Sequence, residues 1–344
     1  MPRHSIDSDT RLLLELYELR GEEILHEVEG MFAFVVFDLA SRKWVAYRDR
    51  FGIKPLYFYQ KHDLTIVSSE PVAISKYVDL SPDPESLLEW RKFRRPCPGY
   101  SYLEDVSEVL PGFSLRSGKE ERWYHIEEDG AEYSETRFAE VLENVVNDHL
   151  ESDVGVTGLL SGGIDSSVIA AMTNLVEYFT VGLPDANEFD DVKEFCRLTN
   201  KNCVEVSVYE EQLREAWHIM ATARNEPLSV PNEGLIYLVC KEMPDSTKVV
   251  LTGEGADELL FGYDRIFRYM NSQDAFDLDA FLERYCYSDD RLGDRMRRFI
   301  RSIATHKTPL QFCEDFFLQF HLPGLLRRMD SSMMAASKEG RVPF

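Results

Sequence analysis

Residues 161–167 read Ser161-Gly162-Gly163-Ile164-Asp165-Ser166-Ser167, small hydroxyls and glycines gathered round one carboxylate. Adjacent glycines let backbone N–H groups approach a ligand closely, and three serine hydroxyls add donors suited to phosphate oxygens. Asp165 is the odd member, because a carboxylate repels phosphate unless a cation lies between them. It implies Mg²⁺ carried in with a nucleotide. The competing reading is a Ser/Gly-rich turn with Asp165 as a helix cap. A second run, Thr252-Gly253-Glu254-Gly255-Ala256-Asp257-Glu258, sets two glycines beside three carboxylates. That composition suits a metal and substrate site. Asp257 would share the cation with Asp165, and Glu254 would orient or deprotonate a nucleophile. An acidic surface turn is the plainer alternative.

Both runs need strand ends to hold them. The apolar stretch Val154 to Leu160 has strand length, and Val168 to Met172 continues with helical spacing, so the first run joins a strand to a helix. From residue 135 the pattern alternates. Helices are expected near 135–151, 190–199, 210–223 and 232–243, with strands at 177–181, 203–208 and 248–251. Such alternation predicts a doubly wound parallel sheet covered on both faces, with ligands at its C-terminal edge. After residue 258 the pattern is helical throughout. Earlier in the chain, 31–38, 44–48, 56–59 and 64–68 are short aromatic and β-branched runs split by turns, predicting an antiparallel meander behind a helix over 10–20. The proline-rich residues 80–130 read as connection rather than core. The predicted domains are 1–125 and 126–344.

The chain has 344 residues, is 44% hydrophobic and carries a formal charge of −23. About two domains are expected at this length. The acidity argues against nucleic acid or an anionic membrane as partner. Six cysteines, at 97, 196, 203, 240, 286 and 313, form no CxxC or Cys/His cluster, which points to free thiols in a cytoplasmic protein. Cys97 lies between prolines with no adjacent base and is not adopted as a nucleophile. His218 reads as packing, and Arg297-Arg298 and Arg327-Arg328 as solvated helix faces.

The 161–167 run resembles the SGGxDSS pyrophosphate loop of the ATP pyrophosphatase family, and no Gly-Lys-Ser/Thr of the Walker type follows it. Together with 252–258 it is similar to the synthetase domain of glutamine-dependent asparagine synthetases. The first half resembles that family's glutaminase domain at Gly30 to Phe34, Arg48 to Tyr57, Leu110-Pro111-Gly112 and Trp123-Tyr124. Ser152-Asp153-Val154, Glu226-Pro227 and Glu339 to Phe344 also match. The resemblance implies an α/β protein: a partial Ntn-type antiparallel domain, then an adenine nucleotide α-hydrolase-like ATP pyrophosphatase domain. It implies an ATP site of Leu160, Ser161, Gly162, Gly163, Asp165, Ser166, Ser167, Val181, Thr252 and Gly253. Mg²⁺ would sit on Asp165 and Asp257, with Glu254 at an aspartyl adenylate and Asp9 as a residual glutamine-binding acid. Aspartate and ammonia, free or glutamine-derived, would be the substrates.

The resemblance also implies departures. Residue 2 is Pro2 where the family exposes a cysteine nucleophile, so the chain is expected to start inside the glutaminase domain and to lack glutaminase activity. It stops at Phe344, where the family continues through helices carrying a charge-stabilising lysine, so self-association or complementing fragments are expected. Phe261 stands at a family glycine position and would reshape that loop. Two rivals remain open at this point: a non-catalytic nucleotide-binding remnant, and a relative that joins another carboxylate to an amine, as in β-lactam or lasso-peptide synthetases.

Overall fold

The computed structural model describes residues 8–126 and 130–344. Pro2 lies outside them, and so do residues 127–129, just past the expected domain boundary. The antiparallel half opens with a helix, Asp9–Arg20, and then β1 (Ala33–Asp38), β2 (Lys43–Arg48), β3 (Tyr57–Lys61) and β4 (Leu64–Ser68). These do not form one meander. β1 and β2 join β6 (Phe113–Arg116) and β7 (Lys119–Arg122), whereas β3 pairs with β4 on one side and β5 (Val106–Glu108) on the other in a separate sheet. The split occurs at the corner after β2. There Asp49 accepts hydrogen bonds from the N–H groups of Phe51, Ile53 and Lys54 at 3.2, 2.9 and 2.9 Å. Gly52 supplies a φ of +69°, and a Cβ on it would lie 2.7 Å from Pro111. The chain therefore turns out of the first sheet.

Residues 80–130 are not mere connection. Asp83 caps the helix Pro84–Phe93, accepting from the Glu85 N–H at 3.1 Å, with Pro84 at the first helical position. A proline there has no N–H to waste and a favourable φ, so it starts a helix instead of breaking one. Phe93, Tyr102, Leu103, Val106, Val109 and Leu115 are all buried. This segment also supplies polar ties to the rest of the chain. Glu108 pairs with Arg48 at 2.9 Å and with Arg95 at 3.3 Å. The Arg95 guanidinium donates onward to the Phe320 carbonyl at 2.7 Å.

Burial pushes the Glu108 carboxyl up, but Arg48, Arg95 and Arg327 outweigh it and hold the group below the usual glutamate range. A depressed folded pKa means stability that is present above the ordinary pKa and lost as pH falls through the folded one. Glu108→Gln leaves buried guanidinium charge uncompensated. It should cost about 3–5 kcal/mol at neutral pH, a deficit that narrows only in acid. Denaturant unfolding at pH 7 and pH 4 checks this; equal midpoints for variant and wild type at pH 7 would contradict it.

The second half holds five parallel strands: β8 (Gly155–Leu159), β9 (Glu177–Gly182), β10 (Asn202–Ser207), β11 (Thr247–Leu251) and β12 (Glu339–Arg341). Their order is β10-β9-β8-β11-β12. Neighbouring residues on a strand enter opposite cores, as the period of two requires. Tyr178 packs with Leu160, Ala170 and Val192, while Phe179 packs with Val239, Val250, Leu326 and Met329. Helices therefore cover both faces. β12 corrects the expectation of an all-helical tail. Its three residues carry no strand pattern of their own. Arg341 is held by the His149 and Glu151 carbonyls at 2.8 and 2.7 Å, and Gly340 fits against the Met329 and Met333 sulfurs. A third body of helices between 264 and 321 packs round Phe267, Phe281, Phe312, Phe316 and Phe320. Among the described residues no helix is long and apolar enough to cross a membrane.

Candidate functional site

Chain order reverses between β8 and β11, since β9 and β10 extend the sheet one way and β12 the other. A crevice for ligand opens at the C-terminal ends of strands on either side of such a reversal. Both chemistry-bearing runs leave the sheet there. β8 passes through Leu160 to Gly163 into the helix Ile164–Met172, and β11 passes through Thr252 to Gly255 into the short helix Ala256–Leu259.

The two loops touch. A Cβ on Gly253 would sit 2.5 Å from the Ser166 nitrogen and 2.8 Å from the Asp165 carbonyl carbon, so only glycine permits this approach. Thr252 accepts the Glu254 N–H on its hydroxyl at 2.9 Å and donates its own N–H to Arg341 at 3.0 Å. Gly255 takes a φ of +96° to turn the chain into the next helix. The β8 loop is braced by its own hydroxyls. Ser166 Oγ accepts from the Ser161 N–H at 3.0 Å, Ser161 Oγ accepts from the Gly163 N–H at 3.2 Å, and Ser167 donates to the Gly163 carbonyl at 2.8 Å.

Leu160, Ser166 and Thr252 are buried; Ser161, Gly162 and Gly163 are exposed at the loop tip. Val181 lies one residue before the end of β9, opposite Val206 of β10, and packs into the core that holds Val250. Asp9 stands apart from this group, exposed at the first turn of its helix in the antiparallel half. The site is dominated by negative charge. Burial, then the Asp257 and Glu258 carboxylates, push Asp165 above the usual aspartate range; Asp257 is raised by burial and by Glu258. Glu254 is raised by burial, partly opposed by the Arg328 guanidinium 3.8 Å away. Glu258 differs. Burial is overcome by hydrogen bonds from Tyr263 at 2.5 Å and from His321, so it stays low.

Several participants were not visible in the sequence. Arg327 and Arg328 are not solvated: Arg327 pairs with buried Glu226, and Arg328 faces Glu254. The spacing of the helix Leu322–Ala335, which turns apolar residues to both sides of this pair, was the available signal. His321 sits where a π-type turn, Phe317–His321, interrupts the helical run, and Tyr285 bonds its other ring nitrogen at 2.7 Å. Phe261 keeps the left-handed backbone of a glycine position, φ +56°, and packs its ring 5.0 Å from Phe267. Gly262 then donates its N–H to the Asp257 carbonyl at 2.9 Å. Cys97 is buried, and its thiol is pushed up to about 12 by burial and by Glu89.

Over residues 137–344 the chain matches the asparagine synthase family, and over residues 2–125 the glutamine amidotransferase domain. It is 32% identical to asparagine synthetase [glutamine-hydrolyzing] 1 of Bacillus subtilis over 280 residues, covering 75% of this chain and 43% of that protein. It is 30% identical to a putative asparagine synthetase [glutamine-hydrolyzing] of Mycobacterium tuberculosis, covering 79% of this chain and 45% of that protein. To asparagine synthetase B of Escherichia coli it is 29% identical, covering 74% and 47%. The chain thus spans about half the length of these curated relatives.

Proposed function

This chain belongs to the asparagine synthase family, and we propose that it is an ATP-dependent amide ligase that makes asparagine from aspartate and ammonia. Residues 1–125 form its glutaminase-like part and residues 126–344 its synthetase part. The observation that carries the reading is the contact of the two glycine loops at the reversal point of the sheet. It sets the Asp165 carboxyl within reach of the Asp257 charge, with Glu254 near Asp257.

The residues fit a magnesium nucleotide. Among the described residues no group of three or more His, Cys, Asp and Glu side chains gathers to hold a metal. Two carboxylates completed by phosphate oxygens and water are the usual company of Mg²⁺. Bound there, the ion neutralises charge on the polyphosphate and on departing pyrophosphate. Ser161, Gly162, Gly163, Ser166 and Ser167 cradle the β and γ phosphates at the N-terminus of the helix. Leu160, Val181 and the Thr252-Gly253 backbone line the adenosine. Glu254 orients the aspartate. An oxygen of its β-carboxylate bonds the α-phosphorus while the α–β bridge breaks and its electron pair leaves on pyrophosphate. Ammonia then attacks the acyl carbon of β-aspartyl-AMP, loses a proton and expels AMP. Cys97 is not a nucleophile for releasing that ammonia, because its thiol is buried and pushed up to about 12 by burial and by the neighbouring Glu89 carboxylate.

The test is ATP–pyrophosphate exchange across a panel of carboxylates. L-Aspartate should support exchange and its homologues should not. Exchange driven instead by a carboxylated amine-bearing precursor would place the chain with the β-lactam or lasso-peptide type, and no exchange with any carboxylate would defeat the ligase reading.

A further inference from the structure

We infer that Glu188 is an internal anion that occupies the pyrophosphate loop and must be displaced by phosphate, an inference that rests on the nucleotide reading of that loop. Of the N–H groups from Ser161 to Gly163, the first and third are satisfied by hydroxyls of the loop itself. The second is not. Gly162 donates to Glu188 Oε2 at 2.8 Å, across 26 residues of sequence.

Glu188 comes from the turn after β9, immediately before the helix Phe189–Thr199. It stands at the N-cap of that helix yet its carboxylate accepts nothing from the helix. Asn187 takes the local duty, its side-chain oxygen accepting from the Phe189 N–H at 3.2 Å. Glu188 is therefore released to reach back into the glycine loop. The fit is close: a Cβ on Gly162 would lie 3.2 Å from the Asp191 Cβ and 3.3 Å from the Glu188 Cβ. A side chain at 162 would press Glu188 away.

An ionised carboxylate on a backbone N–H is a charge-assisted bond of the kind a phosphate oxygen makes with the same group. The two cannot share one donor, and their like charges repel at contact distance. Pyrophosphate therefore binds only as the Glu188 side chain leaves, which its exposure permits. When product departs, the carboxylate returns. Glu188 thus loosens the loop's hold on pyrophosphate and favours release.

Calorimetric titration of Mg-pyrophosphate into wild type, Glu188→Gln and Glu188→Ala tests this, with Mg-ATP titrated in parallel. Both variants should bind pyrophosphate more tightly: Glu188→Ala about 3–10-fold, the ratio for loss of one competing hydrogen bond, and Glu188→Gln by less, because its amide oxygen still accepts from Gly162 but carries no charge. The gap should narrow as salt is raised. Weaker binding by Glu188→Ala with wild-type affinity in Glu188→Gln would show a structural brace and overturn the inference; unchanged affinity in both would overturn it too. Wild type that binds neither ATP nor pyrophosphate would instead remove the nucleotide reading, and the inference with it.

Discussion

Asp165→Ala is expected to weaken Mg-ATP binding about 100-fold, close to 2.7 kcal/mol. The size follows from the proposed role: this carboxylate would be one of two protein oxygen donors for the cation, and residues 161–167 offer phosphate N–H and hydroxyl donors but no cationic side chain. Asp257→Ala should lose a similar amount, and the double variant little more, because the pair acts on one ion. Ser166→Ala removes a brace on the Ser161 N–H rather than a ligand charge. It should cost only about 0.5–1.5 kcal/mol. Removing the divalent cation reverses the ranking. With EDTA present, the Asp165 carboxylate repels bare polyphosphate, so the alanine variant should bind ATP no worse than wild type. Titration calorimetry in both buffers reads this, and equal Mg-ATP affinity for variant and wild type would contradict the metal assignment.

Gly253→Ala should be nearly as damaging without touching a charged group. Its new methyl would meet the backbone of Asp165 and Ser166 at 2.8 and 2.5 Å. Main chain in the first turn of a helix cannot swing aside as a flexible side chain can. One loop must shift, at roughly 1–3 kcal/mol of stability, and a displacement near 1 Å at a reacting centre can cost about 10²-fold in rate. Gly163→Ala is the control, since a Cβ there meets only the Ser161 hydroxyl, at 3.2 Å. Melting midpoints and aspartate-dependent pyrophosphate exchange should rank Gly253→Ala well below Gly163→Ala. The opposite order would show that the two loops do not need to touch.

Much of this site could be read directly from residue order. A strand, a glycine turn and a helix carry strong local signals, so residue order alone sets Ser161 to Ser167 and Thr252 to Glu258 at strand ends. What they could not show is the distance between them. That depends on the order β9-β8-β11, which is set by cores on both faces of the sheet. The antiparallel half was legible strand by strand but not as two sheets, because the exit at Gly52 is fixed by a contact with Pro111, some sixty residues away. Prolines misled at 80–130, where Pro84 begins a helix. β12 was invisible because Glu339-Gly340-Arg341 becomes a strand only through a neighbour already in place. Charged residues were the hardest to place. Arg327 and Arg328 look like solvated charge in sequence, and each has its partner far along the chain.

As proposed, this site cleaves ATP between its α and β phosphates to activate a carboxylate. ATP labelled separately at the α and γ phosphates, incubated with Mg²⁺, aspartate and ammonia, tests it most directly. The α label should appear in AMP and the γ label in pyrophosphate, with both dependent on aspartate and on Asp165. The γ label in inorganic phosphate and the α label in ADP, or cleavage indifferent to aspartate, would contradict it.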